Sequence, residues 1–84
     1  MVNKIDKCPW EKIESFQSPS EFENFISWMQ ENISERIATK INVAKKYRGI
    51  ETLKEEWFLH NASNTIWRLV WPDPPFTGLF EQVK

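Results

Sequence analysis

Apolar and polar positions recur with two different periods along the chain, and the change of period separates a helical part from an extended part. Phe22, Phe25, Ile26, Met29 and Ile33 form a single apolar stripe at helical spacing, with Glu23, Asn24, Ser27, Gln30 and Glu31 on the wet side. Its start is marked by Ser18-Pro19-Ser20-Glu21. Ser18 suits capping of the next amides, Pro19 the first helical position, and Glu21 the place where a capping box sets its carboxylate. The pattern predicts a helix over 18–35, with Glu21 and Glu23 complementing the dipole at one end and Arg36 at the other. Trp28 falls off the stripe.

Glu55–His60 and Thr65–Trp71 read as strands joined by the polar loop Asn61-Ala62-Ser63-Asn64, which predicts a hairpin. Pairing His60 with Thr65 sets Leu59 opposite Ile66, Trp57 opposite Arg68 and Glu55 opposite Val70 on one face. Phe58 with Trp67, Glu56 with Leu69, and finally Trp71 occupy the other. Both faces are thus rich in large apolar groups, and one helix covers only one of them. Pro72-Asp73-Pro74-Pro75 ends the strand, and Gly78 permits a turn before a last short strand, Leu79–Val83. Residues 37–47 fit either a continuing helical stripe (Ile37, Ile41, Ala44) or an alternating strand (Ile37, Thr39, Ile41, Val43); the β-branched residues favour a strand over 38–44. Trp10, Ile13 and Phe16 lie at three-residue spacing in an N-terminal arm, residues 1–17, as a helical turn or an irregular packed segment would place them. The expected architecture is a single α+β domain over 1–84, one main helix packed on a small antiparallel sheet of three to four strands within 38–83.

With 84 residues and only one cysteine, Cys8, and one histidine, His60, neither an internal disulfide nor a Cys/His zinc set can support the fold. Aromatic burial must do so, and aromatic residues make up 14% of the chain. No apolar run is long enough to span a bilayer, and the first seven residues lack the apolar stretch of a signal peptide. With a lone thiol, these features lead to the expectation of a cytoplasmic protein without a membrane partner.

Catalytic groups are sparse. A Ser- or Cys-type hydrolase needs a nucleophile beside an oriented base, and only His60 is available as imidazole. Glu55 and Glu56 point to opposite faces of a strand and cannot share a proton or a metal. Asp73 suits an Asx turn that shapes its loop together with Gly78. Two glycines, Gly49 and Gly78, cannot build a phosphate-cradling loop. The chain is therefore expected to be no enzyme and to use no cofactor and no metal.

Charge changes the picture more. The formal net charge is -1, but Glu11 to Glu35 holds six acids against Lys12, and Arg36 to Arg48 holds five bases and no acid, with Tyr47 interleaved. The helix surface is expected to be negative. The basic stretch, residues 36–48, is the candidate for a weak nucleic-acid contact through phosphate neutralisation and stacking, opposed by the acidic helix beside it. Trp57 and Arg68, facing one another, suit a cation–π pair. Tryptophan and arginine also dominate binding hot spots, so a hairpin with two apolar faces points to a protein partner or to a second copy in a structural homodimer, unless the arm folds over the second face.

Glu56-Trp57-Phe58 and Ile66-Trp67-Arg68-Leu69-Val70, running into Pro72-Asp73-Pro74-Pro75-Phe76-Thr77-Gly78, resemble a set of small uncharacterised bacterial proteins. These carry a W-R-L-x-x-P-D-x-P-F-x-G signature after a helix opened by S-P-x-E-F, here Ser18 to Phe22. Such proteins are similar in size and style to the immunity proteins that neutralise bacterial toxins. The resemblance implies a non-catalytic protein-binding domain in which Glu23, Glu31 and Glu35 steer a basic toxin and Trp57, Trp67, Arg68 and Trp71 anchor it.

Overall fold

The computed structural model describes residues 8–84. Helix α1 spans Pro19–Ser34, and four strands follow: β1 (Ala38–Ile41), β2 (Glu55–His60), β3 (Thr65–Val70) and β4 (Leu79–Gln82). They form one antiparallel sheet in the order β1-β2-β3-β4, so the α+β class expected from the residues is the class observed.

Both ends of α1 follow from local chemistry. Ser18 is extended and its hydroxyl accepts the Glu21 N–H at 3.1 Å. The Glu21 carboxylate reaches back one residue further than a capping box would, accepting the Gln17 N–H at 3.0 Å. At the other end the Ile37 N–H donates to the Asn32 carbonyl at 2.8 Å and the Arg36 N–H to the Ile33 carbonyl at 3.1 Å. This paired closure puts Arg36 in the left-handed region, φ 64°, where glycine is usual. The helix is thus one residue shorter at each end than 18–35, with Ser18 and Glu35 as its caps.

The hairpin has the expected register throughout: Glu55 faces Val70, Trp57 faces Arg68, Phe58 faces Trp67 and His60 faces Thr65. Residues 37–47 resolve as a strand, but only over Ala38–Ile41. Its buried position is Ala38, the opposite phase to the Ile37 and Thr39 positions that the β-branched alternation would bury, and Ile37 is exposed. The reason is pairing: Ala38 faces His60 on the side of the sheet that the helix covers.

One sheet face carries Ala38, Phe58, Trp67, Leu69 and Phe80 against Phe22, Phe25 and Met29 of α1. The arm covers this face too. Ile13 and Phe80 exchange both backbone hydrogen bonds (2.8 and 2.9 Å), the Phe16 N–H donates to the Thr77 carbonyl (3.0 Å), and Trp10 lies within 5.9 Å of the rings of Trp28, His60, Trp67 and Phe80. The arm therefore closes the β4 edge rather than the second sheet face.

The long β1–β2 connection covers the Glu55 and Trp57 end of the second face, and Leu59 and Ile66 at its other end are half-buried. Buried Trp57, Val70 and Leu79 lie on this face. Tyr47, in a short 3-10 turn (Tyr47–Gly49), sits over Arg68 with 5.5 Å from guanidinium carbon to ring centre, and stacks on Phe76 at 6.3 Å. One helix covers only one face, as expected; the arm shares that face with α1 instead of folding over the second, which the β1–β2 connection covers in part.

Candidate functional site

The four aromatic and basic hairpin residues singled out as anchors are occupied inside the molecule. Trp57 and Trp67 are 6% and 5% exposed. The Trp57 indole N–H donates to Glu55 Oε2 at 2.7 Å, and that of Trp67 to Thr65 Oγ1 at 3.0 Å. Arg68 forms the expected pair with Trp57, 5.6 Å from its ring centre, and its Nε stands 3.2 Å from Glu55 Oε2. That contact is Coulombic only, because the buried Nε–H has no aligned acceptor. Trp71 is half-buried between Phe22 (4.9 Å) and the Lys54 ammonium (3.8 Å), with its N–H donated to Glu56 Oε1 at 2.9 Å. The hairpin as docking surface is corrected accordingly: Trp57 and Trp67 would have to leave the interior to meet a partner, at a cost of about 2 kcal/mol or more each.

Two carboxylates organise the hairpin faces. Glu55 accepts the Tyr47 N–H at 2.6 Å while also serving Trp57 and Arg68, so it ties the β1–β2 connection to the sheet. Burial pushes the Glu56 carboxyl up, but Lys40 at 2.7 Å, the Trp71 N–H and Lys54 together outweigh it and hold the group below the ordinary range.

His60 is buried at a hairpin end. Its Nδ1 lies 2.7 Å from Ser63 Oγ and 3.3 Å from the Ser63 backbone nitrogen, whose N–H it can accept, an arrangement that favours the Nε2–H form of the neutral ring. Burial pushes its pKa down, and Trp10 packs edge-on at 4.8 Å. Among the described residues Ser63 is its side-chain hydrogen-bond partner and no carboxylate orients the ring. Among the described residues no three His, Cys, Asp or Glu side chains are grouped to hold a metal ion.

Asp73 is exposed and shapes its loop through its backbone, not through an Asx turn: its N–H and carbonyl exchange hydrogen bonds with Phe76 at 2.9 Å around the cis Pro74-Pro75 bond. Gly78 has φ 80°, and a Cβ there would stand 2.9 Å from the Val70 carbonyl oxygen. The loop role assigned to Gly78 thus has a geometric cause.

The basic stretch is partly spent. Lys40 is paired with Glu56, Lys46 donates to the Leu53 carbonyl at 2.6 Å, and Tyr47 stacks inward on Phe76. Arg36, Lys45 and Arg48 are exposed. The stacking ring that a nucleic-acid contact would use is therefore already engaged.

What stays on the surface is the wet side of α1. Glu31 and Glu35 are exposed, and Glu21 lies on the same side. They stand three and seven residues after Trp28 and seven before it, which sets all three along the same side of the helix as that indole, Glu31 about one turn away and the other two about two turns away. Glu23 lies away from them, beside Pro19 and the Pro72–Pro75 loop. Trp28 is 40% exposed, the most exposed large apolar side chain described. Sequence reasoning passed over it, although a tryptophan on the acidic side of an amphipathic helix was itself the signal.

No family model, curated protein or solved structure matches the chain. No helix among the described residues is long and apolar enough to cross a membrane.

Proposed function

We propose that this chain is a non-catalytic protein-binding domain of the immunity type, which holds a basic protein partner against the acidic side of α1. The observation that carries the reading is the row of exposed carboxylates, Glu21, Glu31 and Glu35, along the side of α1 that bears the exposed Trp28; among the described residues none of the three has an ion-pair partner. Fixed like charges repel one another and steer an oppositely charged partner, raising association rates more than final affinity. A solvated helix face explains the acids, and packing on Trp10 and Phe25 explains the covered part of the Trp28 indole; its remaining 40% is the apolar surface offered beside the acids.

The test places a photo-crosslinking residue at Ser27, beside Trp28, in the full chain and identifies what it captures in cells. The reading expects a basic protein whose capture is lost on reversing Glu31 and Glu35 to lysine, and whose own activity the purified domain inhibits. Capture indifferent to charge reversal, or a captured protein left uninhibited, would refute it.

A symmetric homodimer is the second reading, and the open β1 edge favours it. The Asn61 N–H bonds the Ile37 carbonyl, so the pairing alternation leaves Ala38 and Lys40 with outward backbone groups. The edge is short and carries a lysine, both of which discourage pairing. Light scattering at micromolar concentration decides between monomer and dimer.

A further inference from the structure

Between the arm and α1 runs a groove of about 700 Å³, walled by Trp10, Ile13, Phe25 and Phe80. Trp28 and Ile37, 40% and 38% exposed, stand at its mouth. Trp10 meets Trp28 edge-to-face at 5.7 Å, and Phe25 meets Trp28 at 5.4 Å, so the mouth is built on packed rings and needs no rearrangement to receive a side chain.

Among the described residues the rim is acidic: Glu11 and Glu21 line the groove, Glu31 and Glu35 follow along the same side of the helix, and the one lysine among these lining residues, Lys12, leans toward Glu81 with its ammonium 3.8 Å from that carboxylate. An acidic segment or a polyanion is repelled here. An apolar side chain gains from the cavity, and a cation gains from both the carboxylates and the indole face.

We infer that this groove is the docking site for a basic protein segment that inserts an apolar side chain between Trp28 and Ile37 and sets an adjacent lysine or arginine against Glu31, Glu35 and the Trp28 ring. The inference rests on the function proposed above and narrows it from a helix face to a cavity. It makes Trp28 the hot spot and Glu31 and Glu35 the charge-selecting residues.

The probe is a short acetylated peptide of alternating arginine and leucine, titrated into the full chain while the Trp28 indole N–H resonance, assigned through Trp28→Phe, is followed by NMR. Two control peptides carry glutamate for arginine or serine for leucine. The expected result is a saturable shift of the Trp28 indole and Ile37 methyl signals by the arginine–leucine peptide alone. Affinity should fall about tenfold in Trp28→Ala and again in the Glu31→Lys, Glu35→Lys double variant, whose exposed positions leave the core untouched.

Equal shifts with the serine peptide would mean charge without a cavity and would overturn the inference. So would a silent Trp28 signal. An indole resonance shielded from a paramagnetic agent in the free protein would overturn it too, because the groove would then already be occupied, by a second copy if the shielding grows with concentration. If the peptide fails while the crosslinked partner remains charge-dependent, the cavity is wrong and the acidic helix face stands.

Discussion

Glu55 and Arg68 meet beneath the β1–β2 connection with 3.2 Å between Oε2 and Nε, and only 1% of the Glu55 side chain is exposed. The same carboxylate accepts the Tyr47 and Trp57 N–H groups, so a single acid joins the covering segment to both strands of the hairpin. Replacing it strips three partners at once and leaves a guanidinium that is 15% exposed with Glu81, at 3.5 Å, as its remaining ion-pair partner among the described residues. Glu55→Ala is expected to destabilise the fold by about 3 kcal/mol, the low end for a broken buried pair because Glu81 remains. Glu55→Gln should lie between that variant and the parent. Urea denaturation measures both, and a loss below about 1 kcal/mol for the alanine variant would contradict the role given to this carboxylate.

Arg36 closes α1 in a conformation that suits glycine, and its side chain is exposed without an ion-pair partner among the described residues. Arg36→Gly keeps the backbone bonds, including the Arg36 carbonyl that accepts from Asn61 Nδ2 at 2.8 Å, and relieves the left-handed backbone. It should stabilise the domain by about 1 kcal/mol. An unchanged or lowered urea midpoint would argue against strain at this cap.

The two glycines separate conformation from space. Gly49 has φ 69° and nothing within 4 Å of a modest added Cβ, so Gly49→Ala should lose about 1 kcal/mol from backbone strain alone. Gly78→Ala adds a collision with the Val70 carbonyl oxygen at 2.9 Å and with Pro72 at 3.0 Å. Its loss should exceed that of Gly49→Ala by about 1 kcal/mol or more, read as the difference between the two urea midpoints.

Acid should weaken the fold in two windows. Burial lowers the His60 pKa, so the unfolded chain takes up that proton first: the contribution is fully present above the ordinary value of 6.5 and is lost as the pH falls below it through the folded value. Glu56 is held below its ordinary 4.5, and its contribution is present above 4.5 and lost as the pH falls further, through its own folded value. Urea midpoints between about pH 8 and about pH 3 should therefore show an upper loss that His60→Gln flattens and a lower loss that it leaves in place. A His60→Gln variant with the parent's upper slope would remove His60 from this account.

The residues by themselves determined the helix with its Ser18 cap, the hairpin and its register, the break at Pro72–Pro75 and the turn at Gly78. Each is decided by contacts within a few positions or by an alternation that allows only one pairing. They also determined that Trp57 and Arg68 face one another. What they could not decide was which segment covers which sheet face, because the residues that do it, Trp10 and Phe16 on one side and Tyr47 on the other, act across long separations in sequence and carry no period of their own. Tertiary structure alone sent both Trp57 and Trp67 inward from opposite faces of the hairpin, whereas the place of Trp28 off the apolar stripe already put it toward the surface. Burial is assigned by what packs on top, and the same indole is core or surface according to whether a distant segment comes to rest on it.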